Sequence, residues 1–201
     1  MRRLVLASAS PRRRALLEAL GLSLDVIPSS AEEHFDGAPE AMVVSNAQLK
    51  RDEVAARLDS PALVIAADTL VFLDGQPLGK PTNLDEAREM VRKLSGNTHD
   101  VLTGLALVDT ESGRESSGFE QTAVTFRDLD PAEIDVFVET VEPVDRAGAY
   151  TVDGPGSLLV ARYEGCYYNV LGLPMVRLDE LLRPLGLSLF TAIDGRRAQY
   201  L

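Results

Sequence analysis

One uninterrupted apolar run constrains the fold of this chain more than any other feature. Leu63–Leu73 reads Leu-Val-Ile-Ala-Ala-Asp-Thr-Leu-Val-Phe-Leu and contains one charged residue, Asp68. A run of this kind, rich in β-branched residues, is typical of a strand that is covered on both faces. The sequence therefore predicts a central strand at this position.

Shorter patterns on either side predict an alternation of strands and helices, and hence an α/β fold. We predict strands at residues 4–7, 24–27, 101–108 and near 120–126, and helices at residues 11–20, 41–58, from 83 or 85 to 94, from 131 onwards and at 174–185. The chain has no internal repeat or interdomain linker, so one domain over residues 1–201 is expected. Its last residues, 188–201, have no clear periodicity, and we expect a tail that is frayed or packed on a partner.

Composition limits the kind of protein this chain can be. A chain of 201 residues, of which 45% are hydrophobic, is long enough to bury one sizeable core. With one cysteine, Cys166, and two histidines, an internal disulfide is impossible and a zinc site of the Cys/His type is implausible. The N-terminal apolar run is too short for a signal peptide and no segment suits a membrane span, so we expect a cytoplasmic protein.

The charge of the chain directs attention to one basic segment. With 31 acidic and 20 basic residues the net charge is -11, which argues against binding to a nucleic-acid polymer or an anionic membrane. A phosphate ligand must then meet a local basic cluster, and Ser8-Ala-Ser10-Pro-Arg12-Arg13-Arg14 provides one where a strand gives way to a helix. Backbone N–H groups, the helix dipole and arginine forks all favour a phosphate there. The alternative is an ordinary serine cap followed by a solvated basic face.

Asp68 is the strongest single candidate for a functional residue. The segment Ala66-Ala-Asp68-Thr69 stands at the end of the most apolar strand, where a carboxylate is costly to bury unless it pairs with a cation or a metal. Sites in open α/β sheets gather at the carboxyl ends of strands, so we predict that Asp68 binds a metal ion or acts as a base for water. Glu33 is a candidate second oxygen ligand for Mg²⁺ or Mn²⁺. The alternatives are an aspartate that caps the next turn and a glutamate in a solvated loop.

Two lysines are candidates to neutralise phosphate charge. Lys50 lies in a predicted helix, and Lys80 is held between Gly79 and Pro81. Taken alone, either lysine is more often a surface residue. The chain shows no P-loop, dinucleotide glycine fingerprint, G-x-S-x-G elbow or H-E-x-x-H pair, so those enzyme classes lose support.

An ordered series of motifs resembles the Maf family of nucleotide pyrophosphatases. The series consists of Leu-Ala-Ser-Ala-Ser-Pro-Arg-Arg at 6–13, Ala-Ala-Asp-Thr at 66–69, Gly-Lys-Pro at 79–81, Ser-Gly, His-Asp-Val and Thr-Gly within 95–104, Thr-x-Val-x-Phe at 122–126, Ala-Gly-Ala-Tyr at 147–150 and Tyr-Asn-Val-x-Gly-Leu-Pro at 168–174. It covers the chain from about residue 4 to about residue 187, and the series is far more specific than any single motif.

The resemblance implies a fold, a reaction and a set of site residues. It implies an α/β fold similar to inosine triphosphate pyrophosphatases, with a long mixed central sheet flanked by helices, a cleft and often a homodimer. It also implies hydrolysis of a nucleoside triphosphate to the monophosphate and pyrophosphate with Mg²⁺ or Mn²⁺. By position, the family's proton acceptor corresponds to Asp68, and its phosphate and metal contacts fall on Ser8, Arg13, Glu33, Lys50 and Lys80.

The resemblance also concerns the base of the substrate. Arg12, Thr69 and the residue at 153 fall where the family sets substrate preference, and Arg12 with Thr69 resembles the branch that acts on dTTP and UTP. Asp153 departs from both branches, since that branch usually has glutamine and the branch that prefers 7-methyl-GTP has glutamate. Because an ionised aspartate only accepts hydrogen bonds, we expect dTTP and UTP with broader acceptance, including CTP. The alternative is that Asp153 only shapes the turn before Gly154.

Other functions remain open at this point. A pyrophosphatase for 7-methyl-GTP or another modified nucleotide, or for inosine or xanthosine triphosphate, would share the reaction and differ in the base pocket. A non-enzymatic, nucleotide-binding regulator of cell division belongs to another class. Such a regulator would have no need for Asp68 and Glu33 to place a cation and activate water, so the sequence favours the enzyme.

Overall fold

The computed structural model describes residues 3–193 and residue 198, which form an α/β structure. The strands are β1 (Leu4–Leu6), β2 (Asp25–Val26), β3 (Leu63–Leu73), β4 (Gln76–Leu78), β5 (Thr98–Asp109), β6 (Arg114–Phe126) and β7 (Val160–Glu164). The helices are α1 (Pro11–Ala19), α2 (Pro39–Ala55), α3 (Leu84–Leu94), α4 (Pro131–Val141), α5 (Tyr167–Val170), α6 (Met175–Leu182) and α7 (Leu189–Ala192), with short 3-10 turns at Ala147–Ala149, Gly154–Leu158 and Arg183–Leu185.

The strands form a mixed sheet in which β3 has a central position. The strand order is β2-β1-β3-β5-β6-β7, and β4 pairs with β3 outside this path. β1 runs parallel to both β2 and β3, whereas β4 and β7 run antiparallel to β3 and β6. The predicted α/β fold with a mixed central sheet flanked by helices is thus confirmed.

The chain divides into two compact units, and each of them buries its own core. The first comprises the chain up to Asp68, Thr103–Glu120 and the chain from Gly172, and the second comprises Thr69–Leu102 and Gln121–Leu171. In the first unit, side chains such as Leu6, Ile65 and Leu178 are fully or almost fully buried. In the second unit, Val91 and Phe126 are buried to the same degree. The single domain over residues 1–201 and the cleft stay predictions.

Three helices begin at the capping residues that the sequence predicts. The Ser10 side chain accepts a hydrogen bond from the backbone N–H of Arg13 at the start of α1, and Asn83 does the same for Glu86 in α3. Asp130 and Glu133 form a reciprocal capping box at the start of α4. These caps satisfy backbone donors that the first turn of a helix leaves without partners.

The structure corrects two predictions about where elements end. β2 is confined to Asp25–Val26, although residues 24–27 were expected to be extended. Asp68 does not end its strand, because it is the sixth of the 11 residues of β3. The strand continues past Asp68 because its second half pairs with β4, which returns after the turn at Asp74 and Gly75.

The expectation of a frayed tail is wrong for its first residues, whereas packing of the tail on a partner stays a prediction. The Ser188 hydroxyl and the backbone N–H of Leu189 both donate to the carboxylate of Asp179, and Leu189 is buried in the first unit. The arginines at 196 and 197 lie outside the described residues. No helix within residues 3–193 is long and apolar enough to cross a membrane.

Candidate functional site

The loop after β1 and the first turn of α1 hold Ser8 and Arg13 together. Arg13 donates from Nη1 to Ser8 Oγ at 2.9 Å and from Nε to the carbonyl oxygen of Gly172 at 2.8 Å. Ser8 is buried, and its Oγ also accepts from the backbone N–H of Ser10 at 3.2 Å. The guanidinium at the start of this helix is therefore fixed in direction by both a hydroxyl and a carbonyl.

Charges of both signs act on the Arg13 guanidinium. Burial lowers the pKa of Arg13, and the negative charges of Asp68 and Glu33 oppose this lowering. The positive charge of Arg12 lowers the pKa of Arg13 further. The predicted basic and acidic residues of the first unit are thus close enough to influence one another.

Helix α2 brings Lys50 between the two predicted carboxylates. Lys50 Nζ lies 2.5 Å from Asp68 Oδ1 and 2.6 Å from Glu33 Oε1. The side chains of Lys50 and Asp68 are only 14% and 4% exposed. Burying a carboxylate without a charged partner is costly. The ion pair with Lys50 therefore offsets the cost of burying Asp68 in the apolar strand.

Asn46 belongs to the same group, although it is not among the residues that the sequence motifs mark. Its Nδ2 donates to Asp68 Oδ2 at 3.1 Å and to the carbonyl oxygen of His34 at 2.9 Å, and its Oδ1 accepts from the backbone N–H of His34 at 2.8 Å. The spacing of Asn46 and Lys50, one helical turn apart, is the signal that indicates a shared face.

The position of Asp68 follows from the different lengths of two parallel strands. β1 pairs with β3 through Leu6 and Ile65, and the last ladder contact is the hydrogen bond from Ala7 N to Ile65 O at 2.8 Å. The chain then leaves the sheet toward Ser8, whereas β3 continues through Asp68. Asp68 is therefore beyond the carboxyl end of its parallel neighbour, which is where sites of open α/β sheets lie.

A glycine fixes how closely α2 approaches the sheet. A Cβ atom on Gly104 of β5 would lie 2.1 Å from the backbone oxygen of Val43 in α2. No side chain fits at that distance, so the helix backbone lies directly on the strand. This close approach places Lys50 and Asn46 within reach of Asp68.

The group of charges has a sign opposite to that of the whole chain. Arg12, Arg13 and Lys50 carry three positive charges against two negative ones on Glu33 and Asp68, which gives +1, whereas the chain carries -11. A local excess of positive charge at a helix N-terminus favours an anion. The arrangement suits a polyphosphate better than a neutral ligand.

The donor set is compatible with a divalent ion that is shared with substrate. Among residues 3–193 and 198, no group of three or more histidine, cysteine, aspartate or glutamate side chains could hold a metal ion. Glu33 and Asp68 supply two carboxylates that approach the same ammonium group. Mg²⁺ is usually held by one or two carboxylates together with phosphate oxygens and water, so this pair fits such an ion.

Three predicted residues lie in the second unit. Thr69 follows Asp68 in β3, and Lys80 is exposed in the segment between β4 and α3. Asp153 is also exposed, and its carboxylate accepts a hydrogen bond from the Thr151 hydroxyl. Its carbonyl oxygen accepts from the backbone N–H of Gly156 at 3.1 Å, so the residue contributes to the local turn. The roles of all three in substrate binding stay predictions.

An arginine at a helix N-terminus, within electrostatic reach of a buried lysine that bridges two carboxylates, gives this α/β protein a group of charges that would suit a polyphosphate. The chain belongs to the Maf family: the family model described as Maf-like protein matches residues 3–185. The resemblance seen in the ordered motifs is thereby confirmed.

Several curated relatives are similar over almost the whole chain. A protein of Moorella thermoacetica named dTTP/UTP pyrophosphatase is 48% identical over 192 residues, which are 94% of this chain and 98% of that protein. Proteins of the same name from Caldicellulosiruptor bescii and Methanosarcina mazei are 45% and 43% identical, each over 94% of this chain and 98% of the relative.

Similarity to solved structures is weaker. A HAM1 protein from Coxiella burnetii shares 19% identity with a TM-score of 0.46, covering 63% of this chain and 73% of that one. A protein of Mycobacterium abscessus described as nucleoside-triphosphatase and dITP/XTP pyrophosphatase gives 17% identity and a TM-score of 0.41, over 63% of this chain and 75% of that one.

Proposed function

We propose that this chain hydrolyses dTTP and UTP to the nucleoside monophosphate and pyrophosphate. The observation that carries the proposal is the buried contact of Lys50 with both Asp68 and Glu33, near the Ser8–Arg13 pair at the start of α1. Membership of the Maf family and the shared name of three relatives that are 43 to 48% identical support it.

The residues of the first unit have complementary roles in this proposal. Asp68 accepts a proton from the water that attacks the α-phosphorus, and the bond from this phosphorus to the oxygen that bridges to the β-phosphorus breaks. Arg13 and Lys50 stabilise the negative charge that leaves with pyrophosphate, because preformed cations aimed at developing charge need no reorganisation during the reaction. Lys80 has the same expected role, on the strength of the family resemblance.

We also propose that the reaction needs Mg²⁺ or Mn²⁺. Glu33 and Asp68 are the residues that would hold the ion, which when bound neutralises phosphate charge and makes water more acidic. Carboxylate ligands suit these hard cations better than they suit softer metals.

Pyrophosphate release from a panel of nucleotides tests the proposal. The panel consists of dTTP, UTP, CTP, ATP, 7-methyl-GTP and the triphosphates of inosine and xanthosine, each with Mg²⁺, with Mn²⁺ and with a chelator. We expect kcat/KM to be highest for dTTP and UTP, and turnover to stop with the chelator. A preference for any purine would overturn the substrate assignment, and no turnover on any nucleotide would favour a non-enzymatic regulator.

Base selectivity forms a separate part of the proposal. Arg12 and Thr69 favour dTTP and UTP by resemblance, and Asp153 broadens acceptance to CTP, whose exocyclic amine donates to a carboxylate. An Asp153→Gln variant should then raise the ratio of kcat/KM for dTTP over CTP. Because the Thr151 hydroxyl donates to Asp153, a Thr151→Val variant is the control for a change in the turn alone. An unchanged ratio in Asp153→Gln would leave Asp153 as a turn residue.

The assembly and location of the protein are proposals as well. We propose a cytoplasmic homodimer, which the family resemblance supports, with a nucleoside triphosphate as its small-molecule partner. The net charge of -11 argues against a nucleic-acid polymer or an anionic membrane as a further partner. Light scattering at several concentrations tests the dimer, since a mass that stays near 21.8 kDa contradicts it.

A further inference from the structure

We infer that Asn46 is a positioning residue that fixes the Asp68 carboxylate and the segment bearing Glu33 in register with Lys50. The inference rests on the proposed hydrolysis and names a residue that the family motifs in this chain do not include. Asn46 is 1% exposed and lies on α2 one turn before Lys50. A buried amide at this position needs hydrogen-bond partners. Its partners are Asp68 and the backbone of His34, the residue that follows Glu33.

The amide of Asn46 has matched partners for both of its donors and for its acceptor. One N–H points to the carbonyl oxygen of His34 at 2.9 Å, the other points to Asp68 Oδ2 at 3.1 Å, and Oδ1 accepts from the His34 N–H at 2.8 Å. A primary amide has two donors and one acceptor oxygen, so this set accounts for each of them. Neither an aspartate nor a leucine of similar size could make the same contacts.

The contact with Asp68 fixes the plane of its carboxylate. Lys50 binds Oδ1 at 2.5 Å and Asn46 binds Oδ2 at 3.1 Å. The terminal torsion of an aspartate is intrinsically broad, so one partner would leave the carboxylate free to rotate. Two donors on different oxygens, both supplied by one rigid helix, hold the group in one orientation. A base must be held in this way to face the water it deprotonates.

The contacts with His34 fix Glu33. Two hydrogen bonds to the backbone of His34 attach this segment to α2, and Glu33 is the preceding residue. Glu33 in turn reaches Lys50 at 2.6 Å. The Asn46 side chain therefore sets the distance between the carboxylates of Glu33 and Asp68, which come from separate parts of the chain.

An Asn46→Ala variant is expected to lower kcat roughly 10- to 100-fold, the typical effect of removing a group that orients a site residue. The KM for dTTP should change little, because the contacts of Arg13 with Ser8 and Gly172 do not involve Asn46. Gln48→Ala is the matched control, since Gln48 is also an amide on α2 but donates to Ser117 at 3.1 Å. This control should retain wild-type kcat.

A double-mutant cycle separates positioning from a merely structural role. If Asn46 acts through Asp68, then Asn46→Ala should cause less than about a two-fold further loss of kcat in the Asp68→Asn background. Losses that multiply would overturn the inference, and so would wild-type kcat in Asn46→Ala. If Asn46→Ala fails to give the wild-type far-UV spectrum, Asn46→Ser replaces it in the cycle, because serine adds no charge beside Asp68.

The outcomes also distinguish this inference from the function on which it rests. A wild-type chain that turns over none of the nucleotides overturns both. A wild-type chain that releases pyrophosphate, with an Asn46→Ala variant equally active, overturns only the role of Asn46.

Discussion

At the scale of single residues, the decisive feature is that Asp68 is ionisable, buried and held by two donors. Replacing it by asparagine keeps the shape but removes the proposed proton acceptor, so an Asp68→Asn chain should fold and lose about 10²- to 10⁴-fold in kcat. Pyrophosphate release and far-UV circular dichroism check both parts. Asp59→Asn is the control, because the Asp59 side chain is 94% exposed. Near-wild-type turnover in Asp68→Asn would show that another group activates the water.

Arg13 should affect all substrates alike, because a phosphate contact carries no information about the base. Loss of one charge-assisted hydrogen bond costs about 1.5 to 3 kcal/mol. For Arg13→Ala this corresponds to roughly a 10- to 150-fold lower kcat/KM on dTTP, UTP and CTP. The neighbouring Arg14 is exposed and pairs with Glu18 at 2.7 Å, so Arg14→Ala serves as the control. A loss confined to one base would place Arg13 in the base pocket.

A site residue can be predicted from the sequence when its charge or its clustering is unusual among its neighbours in the chain. The charge of Asp68 stands out because every neighbour in its strand is uncharged, and the arginines of α1 stand out because they are clustered. Asn46 carries no charge that stands out in this way. Its spacing from Lys50 indicates a shared face but not burial, since a polar residue in an amphipathic helix is ordinarily assigned to its solvated face. Its burial becomes visible only when α2 lies on the sheet and the backbone of His34 lies against it.

At the scale of elements, a strand can be predicted as far as its own residues demand burial. Leu63–Leu73 matches its apolar run from end to end. β6 begins at Arg114, well before the predicted residue 120. The sequence did not predict the first half of this strand, because that half is polar and exposed. β4 has three residues including Pro77, and it is extended because it pairs with β3 after a tight turn. Partners supplied by tertiary structure decide these ends, and the sequence of the segment alone does not contain them.

The contact between α2 and β5 is a property of two elements that one atom can disturb. A Cβ on Gly104 would come within 2.1 Å of the oxygen of Val43 and within 2.6 Å of the nitrogen of Val44, both in the helix backbone. A Gly104→Ala variant should therefore lose about 1 to 3 kcal/mol of unfolding free energy, as overpacked sites do. It should also lower kcat, because α2 carries Asn46 and Lys50.

Urea unfolding measured alongside Gly79→Ala checks this expectation. Nothing lies within 4 Å of a Cβ built on Gly79, so that variant should change stability by less than about 0.5 kcal/mol. Equal losses in both variants would mean that the cost at Gly104 does not come from the close approach of α2.

At the scale of the whole molecule, the balance of charge predicts how stability responds to acid. Partners lower the pKa of several carboxylates, among them Glu86, Glu133 and Asp179, so their contribution is lost only at acidic pH as they become protonated. His99 of β5 affects the stability of the fold at a higher pH than these carboxylates do. Its Nε2 shares a hydrogen bond of 2.8 Å with the Tyr150 hydroxyl, and its ring packs edge-to-face on Phe126 at 5.0 Å.

Burial lowers the pKa of His99 from 6.5 to about 4, and the nearby charge of Asp100 opposes this only in part. Between these two values the unfolded chain binds a proton that the folded chain does not, so stability rises with pH and falls as the solution is acidified. Above the unfolded pKa both states are neutral at this residue and the effect disappears. Since each pKa unit corresponds to 1.36 kcal/mol, going from about pH 7 to about pH 5 should cost the protein about 2 kcal/mol through this one residue.

Urea unfolding at these two pH values, followed by far-UV circular dichroism, isolates the contribution of His99. A His99→Gln variant has no group that titrates there, so its stability should fall by about 2 kcal/mol less than that of the wild-type protein over the same interval. The chain has one other histidine, the exposed His34, so His34→Gln is the matched control substitution. The same acid dependence in His99→Gln as in the wild type would mean that His99 is protonated in the folded chain. The neutral ring between Tyr150 and Phe126 would then be the wrong description of this core.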